Sequence, residues 1–408
     1  MTNDAPEPEG EFLAAFHAIG QLASAAERID ALTSLVRRAD AEEGKSMRRT
    51  VRGTLVAECL TENMLGRQAV ALPAFAWLLA DFDADPDAAA ADGVDAETLL
   101  TWYGRIIPVA AYDPAVPRDT IEELLADHDR RNAAWGGSES SAANVAFWTA
   151  VKLGEFEALP LHFARNLKDR RRHDEEYPRD SAALIGIFSG DADLTLDALL
   201  PLVDGTAPHA WLWDGSSYRS WLLRPLVWKG LDQEADVYYG QLVAEGYRGT
   251  EDSGFVLEYA ARVKDEATIR RWLPGVLRSC PNAAGDGALE IVHAALACEV
   301  LAETGDRPLV VPFPDGVPNV PPTDARGRTA PSAAAGPLWD AAASFMAALD
   351  ARNGNDTYTR GLVGDRAFVF GPPEDMPRLP AERRERLRAL WETHGTPPPG
   401  SRTAGGVA

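Results

Sequence analysis

Cysteine is scarce, with three residues at 59, 280 and 298 in a chain of 408. An odd count without CxxC spacing supplies neither a disulfide framework nor a zinc knuckle, and the three read as small buried hydrophobes on helical stripes. Lysine occurs only at 45, 152, 168, 229 and 264, so nearly every basic side chain is an arginine. Acid outweighs base, 62 against 40, for a formal net charge of −22 and a pI near 4.7. A field of that sign repels polyphosphate and excludes nucleic acid as the expected partner. The densest basic run, Lys168 to His173, is cancelled by Asp174, Glu175 and Glu176 and reads as a solvated helix end. Apolar runs stay short of the ~18 residues of a membrane span. Met1 to Gly10 is acidic and holds prolines, without a basic or apolar leader. The sequence therefore predicts a soluble, cytoplasmic protein with no membrane partner.

Catalytic signatures are missing as well. The chain has no GxxxxGK[ST], no GxGxxG after a strand, no GxSxG and no HExxH, and its histidines at 17, 128, 162, 173, 209, 293 and 394 are scattered. The one metal-like string is Asp81-x-Asp83-x-Asp85 with Asp92 in twelfth place. Pro86 stands where a calcium loop needs glycine, and Asp92 replaces the bidentate glutamate, so the string reads as a solvated connection. The expectation is a protein that is not an enzyme and holds no cofactor and no metal.

What is present is a repeated unit. Turns at Gly154, Gly190, Gly230, Lys264 and Gly305 lie 36, 40, 34 and 41 residues apart. Eight, seven and four residues before them stand Ala146, Phe147 and Ala150, then Ala182, Ala183 and Gly186, then Leu222, Leu223 and Leu226, then Val256, Leu257 and Ala260. Five, nine and twelve residues after them stand Leu159, Phe163 and Asn166, then Thr195, Leu199 and Leu202, then Ala235, Tyr239 and Leu242, then Ile269, Leu273 and Val276. These are helical offsets, so each half of the unit carries one apolar stripe. A single hairpin buries only part of two stripes, and stacking neighbours is how the rest leave water. The same register fits Gly20, with Phe12, Leu13 and Phe16 behind and Ala25, Ile29 and Leu32 ahead, and the forward half fits Gly66.

This pattern resembles a degenerate tetratricopeptide repeat, in which small and large residues precede a Gly-Asp turn and a small residue opens the second helix. The unit around Gly230 is the nearest match, with Ala235 and Tyr239 in the places of the family's small and aromatic residues. Most units lack the family's early tryptophan and closing proline. Segments 71–79 and 350–356 are similar to those of bacterial proteins that carry no activity to transfer. The resemblance implies an all-α fold, an α-solenoid of stacked helix–turn–helix units whose first helices line a concave face. Positions six and three before each turn then point into that face. They include Trp148, Arg224 and Glu258, flanked by Asn144 and Trp228.

The organisation expected is a disordered tail over 1–10, the repeat array over 11–305, a Pro-rich linker over 306–337, capping helices and a loop over 338–394, and a loose tail over 395–408. Within the array, Pro108, Pro114 and Pro117 are expected to mark boundaries in an irregular unit, because proline cannot donate in a helix. Trp339, Ala343, Met346 and Leu349 mark a helix that ends near Gly354 and is expected to cover the last stripe, Ala294, Ala297, Cys298 and Leu301. A short charged helix is expected over 382–391. Two functions follow as expectations. One is a non-enzymatic scaffold that binds a protein or peptide through Asn144, Trp148, Arg224, Trp228 and Glu258. The alternative is an acidic inhibitor or immunity-type protein that blocks a basic partner.

Overall fold

The computed structural model describes residues 8–41, 45–61, 68–169, 190–206, 215–246, 253–280 and 287–371, with a few isolated positions besides. The run 170–176, Ala182, Leu184, Gly66, most of the expected helix over 382–391, residues 1–7 and the tail over 395–408 lie outside the described residues, whereas residues 8–10, read as part of the first tail, open the first helix. The fold is all-α: the only strands among the described residues are the two-residue pair Leu309–Val310 and Arg328–Thr329, joined antiparallel. No helix among the described residues is long and apolar enough to cross a membrane. The chain divides into two compact units, residues 1–145 and 146–408.

The first unit is built from α1 (Pro8–Ile19), α2 (Ala25–Asp40), α3 (Arg48–Thr61), α4 (Gln68–Ala84), α5 (Pro86–Ala91), α6 (Ala96–Ala111) and α7 (Arg118–Ala134). Consecutive helices pack on one another from α1 to α4, and α6 packs on α3, α4 and α7. Local chemistry sets several of the helix starts. Ser24 and Glu27 form a reciprocal capping box at α2, and Asp85 and Asp95 accept the Ala88 and Thr98 N–H groups at α5 and α6. Pro108 does not interrupt α6. It sits in the last turn, where its missing donor costs one bond, whereas Pro114 and Pro117 fall in the connection and at the cap of α7.

The Asp81–Asp92 string is not a loop. Asp81 and Asp83 lie in α4, Asp85 is the single residue between two helices, and the carboxylates are already engaged. Arg49 binds Asp81 and Asp92, Arg131 binds Asp83 at 2.6 Å and Asp85 caps α5, so each acidic group has a protein partner in place of a cation.

The second unit takes the last residues of α8 (Glu139–Leu153). It continues through α9 (Leu159–Asp169), α10 (Ala192–Val203), α11 (Gly215–Trp228), α12 (Asp232–Glu245), α13 (Ser253–Arg262), α14 (Glu266–Ser279), α15 (Ala288–Thr304), α16 (Pro331–Asn353) and α17 (Thr357–Phe370). The repeat register is visible in its turns. Gly154, Gly190, Gly230, Lys264 and Gly305 all have positive φ. After each of them the next N–H donates to the carbonyl four before the turn: Glu155 to Ala150, Asp191 to Gly186, Leu231 to Leu226, Asp265 to Ala260 and Asp306 to Leu301. That bond and the left-handed residue together close a helix and redirect the chain.

Described stripe positions are buried on both sides of the turns, from Ala146, Phe147 and Ala150 through Leu222, Leu223 and Leu226 to Ile269, Leu273 and Val276. Thr195, polar in an apolar register, is buried because its hydroxyl donates to the Asp191 carbonyl at 2.9 Å.

Lys264 stands where the other turns have glycine, at φ 56°. A side chain in this region costs about 1–2 kcal/mol, offset in part by the larger backbone freedom of unfolded glycine. Its ion pair with Glu303 is exposed and contributes little. Lys264→Gly is therefore expected to raise stability by about 0.5–1 kcal/mol, read as a higher midpoint in urea. A lower midpoint would mean that the turn is relaxed as it stands.

Helices α11, α13 and α15 pack side by side, each with its hairpin partner alongside, and α15 is buried on every side from Ala288 to Leu301. The cover over α15 is α16, which makes the most extensive helix–helix contact of this unit. α16 begins at Pro331, inside the segment read as a linker, because proline is favoured in the first helical turn, where its missing N–H has no partner to lose. It runs on through Pro337 and ends at Gly354, in the left-handed conformation. The apolar periodicity does not mark α17, which packs on α13, α15 and α16.

Candidate functional site

Four helices of the second unit bring one polar side chain each to a common point in the interior. α11 supplies Arg224, α13 Glu258, α15 His293 and α17 Asp365. Position six before a turn is 224 in the unit of Gly230, 258 in that of Lys264 and 299 in that of Gly305. All three side chains face α17 or the cluster beside it. Arg224 binds Glu258 and, at 2.6 Å, Asp365; Glu299 binds Arg366 at 2.7 Å. His293 stands one turn and a half earlier on α15, with Nε2 3.7 Å from Glu258 Oε1. The two helices cross so closely there that a Cβ on Gly254 would lie 2.7 Å from His293 Nδ1, which fixes the glycine.

The cluster is dry. The side chains of Glu258, His293 and Asp365 are 1%, 1% and 4% exposed, and that of Arg224 16%. Burial drives Glu258 up to about 8, opposed by Arg224 and assisted by Asp365. Burial also raises Asp365, again against Arg224. For Arg224 burial acts to lower the value, but the two carboxylates outweigh it and hold the guanidinium charged. Burial and the Arg224 charge hold His293 well below its ordinary range, so the imidazole is neutral. Neither ring nitrogen of His293 has a hydrogen-bond partner, and nor does Glu258 Oε2.

Glu258, His293 and Asp365 offer ligand atoms within 4.8 Å of one another, close enough for a metal ion. The donor set does not fit one. Arg224 already lies against both carboxylates, and a divalent ion added to one guanidinium and two carboxylates leaves a net positive charge in a dry interior. One proton leaves it neutral.

α17 is seated against the first helices along its length. Its start is fixed near the turn at Gly154, where Asn355 Nδ2 donates to the Leu153 carbonyl and Tyr358 Oη to the Lys152 carbonyl, both at 2.8 Å. The Asp350 carboxylate accepts from the Tyr358 and Thr359 N–H groups and the Thr359 hydroxyl, locking the bend between α16 and α17. At its end the Phe368 ring lies beneath both the Arg224 and Arg262 guanidinium groups, at 5.3 and 5.1 Å, and the Phe368 carbonyl accepts from Arg262 Nη1. Leu362, Asp365, Phe368 and Val369 form its inward face, while Val363 is 60% exposed on the other.

Of the residues read from sequence as a binding face, Arg224 and Glu258 are brought together here. Trp148 is half-buried, ring against Phe147, and packs on the cluster of Phe147, Ala150, Phe156 and Phe163. Asn144, in the last residues of the first unit, and Trp228, in the last turn of α11, are half-buried. Sequence reading missed Asp365 and gave His293 no role. An isolated aspartate on a helix with a weak apolar stripe carries no signal by itself, and the histidine is one of seven. The cysteines are buried and form no disulfide, and burial pushes the Cys280 and Cys298 thiols up to about 12, so neither is a thiolate nucleophile at neutral pH. Comparison with family models, curated proteins and solved structures gives no match to this chain.

Proposed function

We propose that this protein is a non-enzymatic binding protein, a tetratricopeptide-like solenoid in which the face of the first helices receives a helical segment of a protein partner. The supporting observation is that the first helices of several hairpins bond one and the same helix. α8 through Lys152 and Leu153, α11 through Arg224, α13 through Arg262 and α15 through Glu299 all engage α17 or the residues leading into it. Such an arrangement is how an amphipathic helix is held in a groove, with anchors at helical spacing, here Leu362, Asp365 and Phe368. α17 is on this reading the ligand's stand-in within the chain.

The test uses a fluorescent peptide of residues 355–371 and the full chain carrying Leu362→Ala and Phe368→Ala, which unseats its own helix. Saturable binding at micromolar peptide is expected for that variant. Binding to the unsubstituted chain should be far weaker, because the tethered α17 competes at an effective concentration of roughly millimolar. A peptide with Asp365→Ala should bind at least about tenfold more weakly. If the double variant loses helical circular dichroism, Arg366→Glu, which breaks only the partly exposed pair with Glu299, takes its place. No saturable binding to a folded variant would overturn the proposal.

A further inference from the structure

We infer that α17 is a displaceable latch over the first-helix face, held shut by one proton shared between Glu258 and Asp365 and loosened when that proton leaves. The latch rests on the reading of that face as the ligand site, and adds its regulation.

Charge counting carries the inference. With both carboxylates ionised, the cluster holds two negative charges and one positive, and His293 adds none. An uncompensated charge in a dry interior is costly, and a proton on one carboxylate removes it. The groups facing Glu258 are Arg224 from α11, His293 from α15, Asp365 from α17, and Arg262 on its own helix, while Glu290 of α15 lies against Gly254, one turn before Glu258. Charged groups on the flanking helices are engaged elsewhere. Asp236 accepts from Tyr259 Oη, Asp232 pairs with Arg262, Asp265 accepts from Tyr239 and Thr268, and Glu266 pairs with Arg270. The two carboxylates therefore compete for a single proton, which belongs to the pair, since burial raises both of them.

The direction follows from linkage. An acid whose folded value is raised leaves stability intact below its unfolded value, near 4.5, and removes it progressively as pH climbs to about 8. The folded cluster thus weakens as pH rises from about 4.5 to about 8.

Mechanical attachment decides which element gives way. α11 and α13 are hairpin members packed on further helices, and α15 is enclosed by α13, α14 and α16. α17 contributes Asp365, packs on one face only and leaves Val363 and Phe370 exposed. Its departure is the least disruptive way to hydrate a second negative charge.

Hydrogen exchange on the full chain without any ligand tests the latch. The exchange rates of the Leu362 to Val369 amides are divided by those of the free 355–371 peptide at the same pH, which removes the intrinsic dependence. Between pH 6 and pH 9, protection of these amides should fall at least about tenfold, since one pH unit is worth up to a factor of ten for one proton. Protection in α13 and α15 should stay within about threefold. Glu258→Gln keeps the shape and holds no titrating proton, so its α17 protection should change less than about threefold. If that variant does not fold, Asp365→Asn removes the other half of the pair and is expected to do the same. Equal pH dependence in variant and parent, or no fall in the parent, overturns the latch. Neither result bears on peptide binding in trans, and a failed peptide experiment leaves this exchange measurement readable.

Discussion

Arg224→Met is expected to destabilise the second unit by about 3–5 kcal/mol, the loss seen when one partner of a buried ion network is removed. The reason is what stays behind. Glu258 and Asp365 would face each other, with carboxylate oxygens within 4.8 Å, without the guanidinium that bonds both. Both would then have to be protonated or hydrated, so the loss should be smaller at pH 5 than at pH 8. Chemical denaturation at the two values measures it. Adding Asp365→Asn to Arg224→Met should recover part of the stability, because it removes one of the two stranded charges. A loss below about 1 kcal/mol at pH 8 would show that water reaches the cluster and that the interior is not dry.

A comparable loss, about 2–5 kcal/mol, is expected from Leu223→Ala. Leu223 is 1% exposed on the stripe of α11 that packs against neighbouring helices, so truncation removes apolar contact and leaves a cavity. Val237, on α12 and 59% exposed, is the control. Its change to alanine should stay within about half a kcal/mol. Equal effects at the two positions would mean that the stripe is assigned to the wrong face.

The hairpins of the second unit were legible because their signals are local. A stripe at eight, seven and four residues before a turn and at five, nine and twelve after it depends only on helical geometry. The turn conformation depends on one residue that tolerates positive φ, and Lys264 was recognisable despite breaking the glycine rule because its flanking stripes hold. The end of the array was less legible. Proline reads as a helix breaker, and the eight prolines between Pro308 and Pro337 pointed to a linker reaching the last of them. Position inverted that meaning for Pro331, which opens α16, and Pro337 is carried inside the same helix. The Asp81–Asp85 string likewise read as a connection. Arg49 and Arg131, 32 and 48 residues away from their partners, made most of it helical surface.

By itself the sequence determined an all-α chain, the hairpin register and the residues of the buried stripes, which all follow from helical periodicity and turn chemistry. Only the tertiary structure decided what position six meets. Arg224 and Glu258 lie 34 residues apart, and the carboxylate that completes their network arrives on α17, 141 residues beyond Arg224. The inward face of that helix is short and has an aspartate at its centre, which hydrophobic periodicity scores as solvent. A charge is read as exposed until a partner is known to neutralise it, and a partner that distant is specified by packing alone.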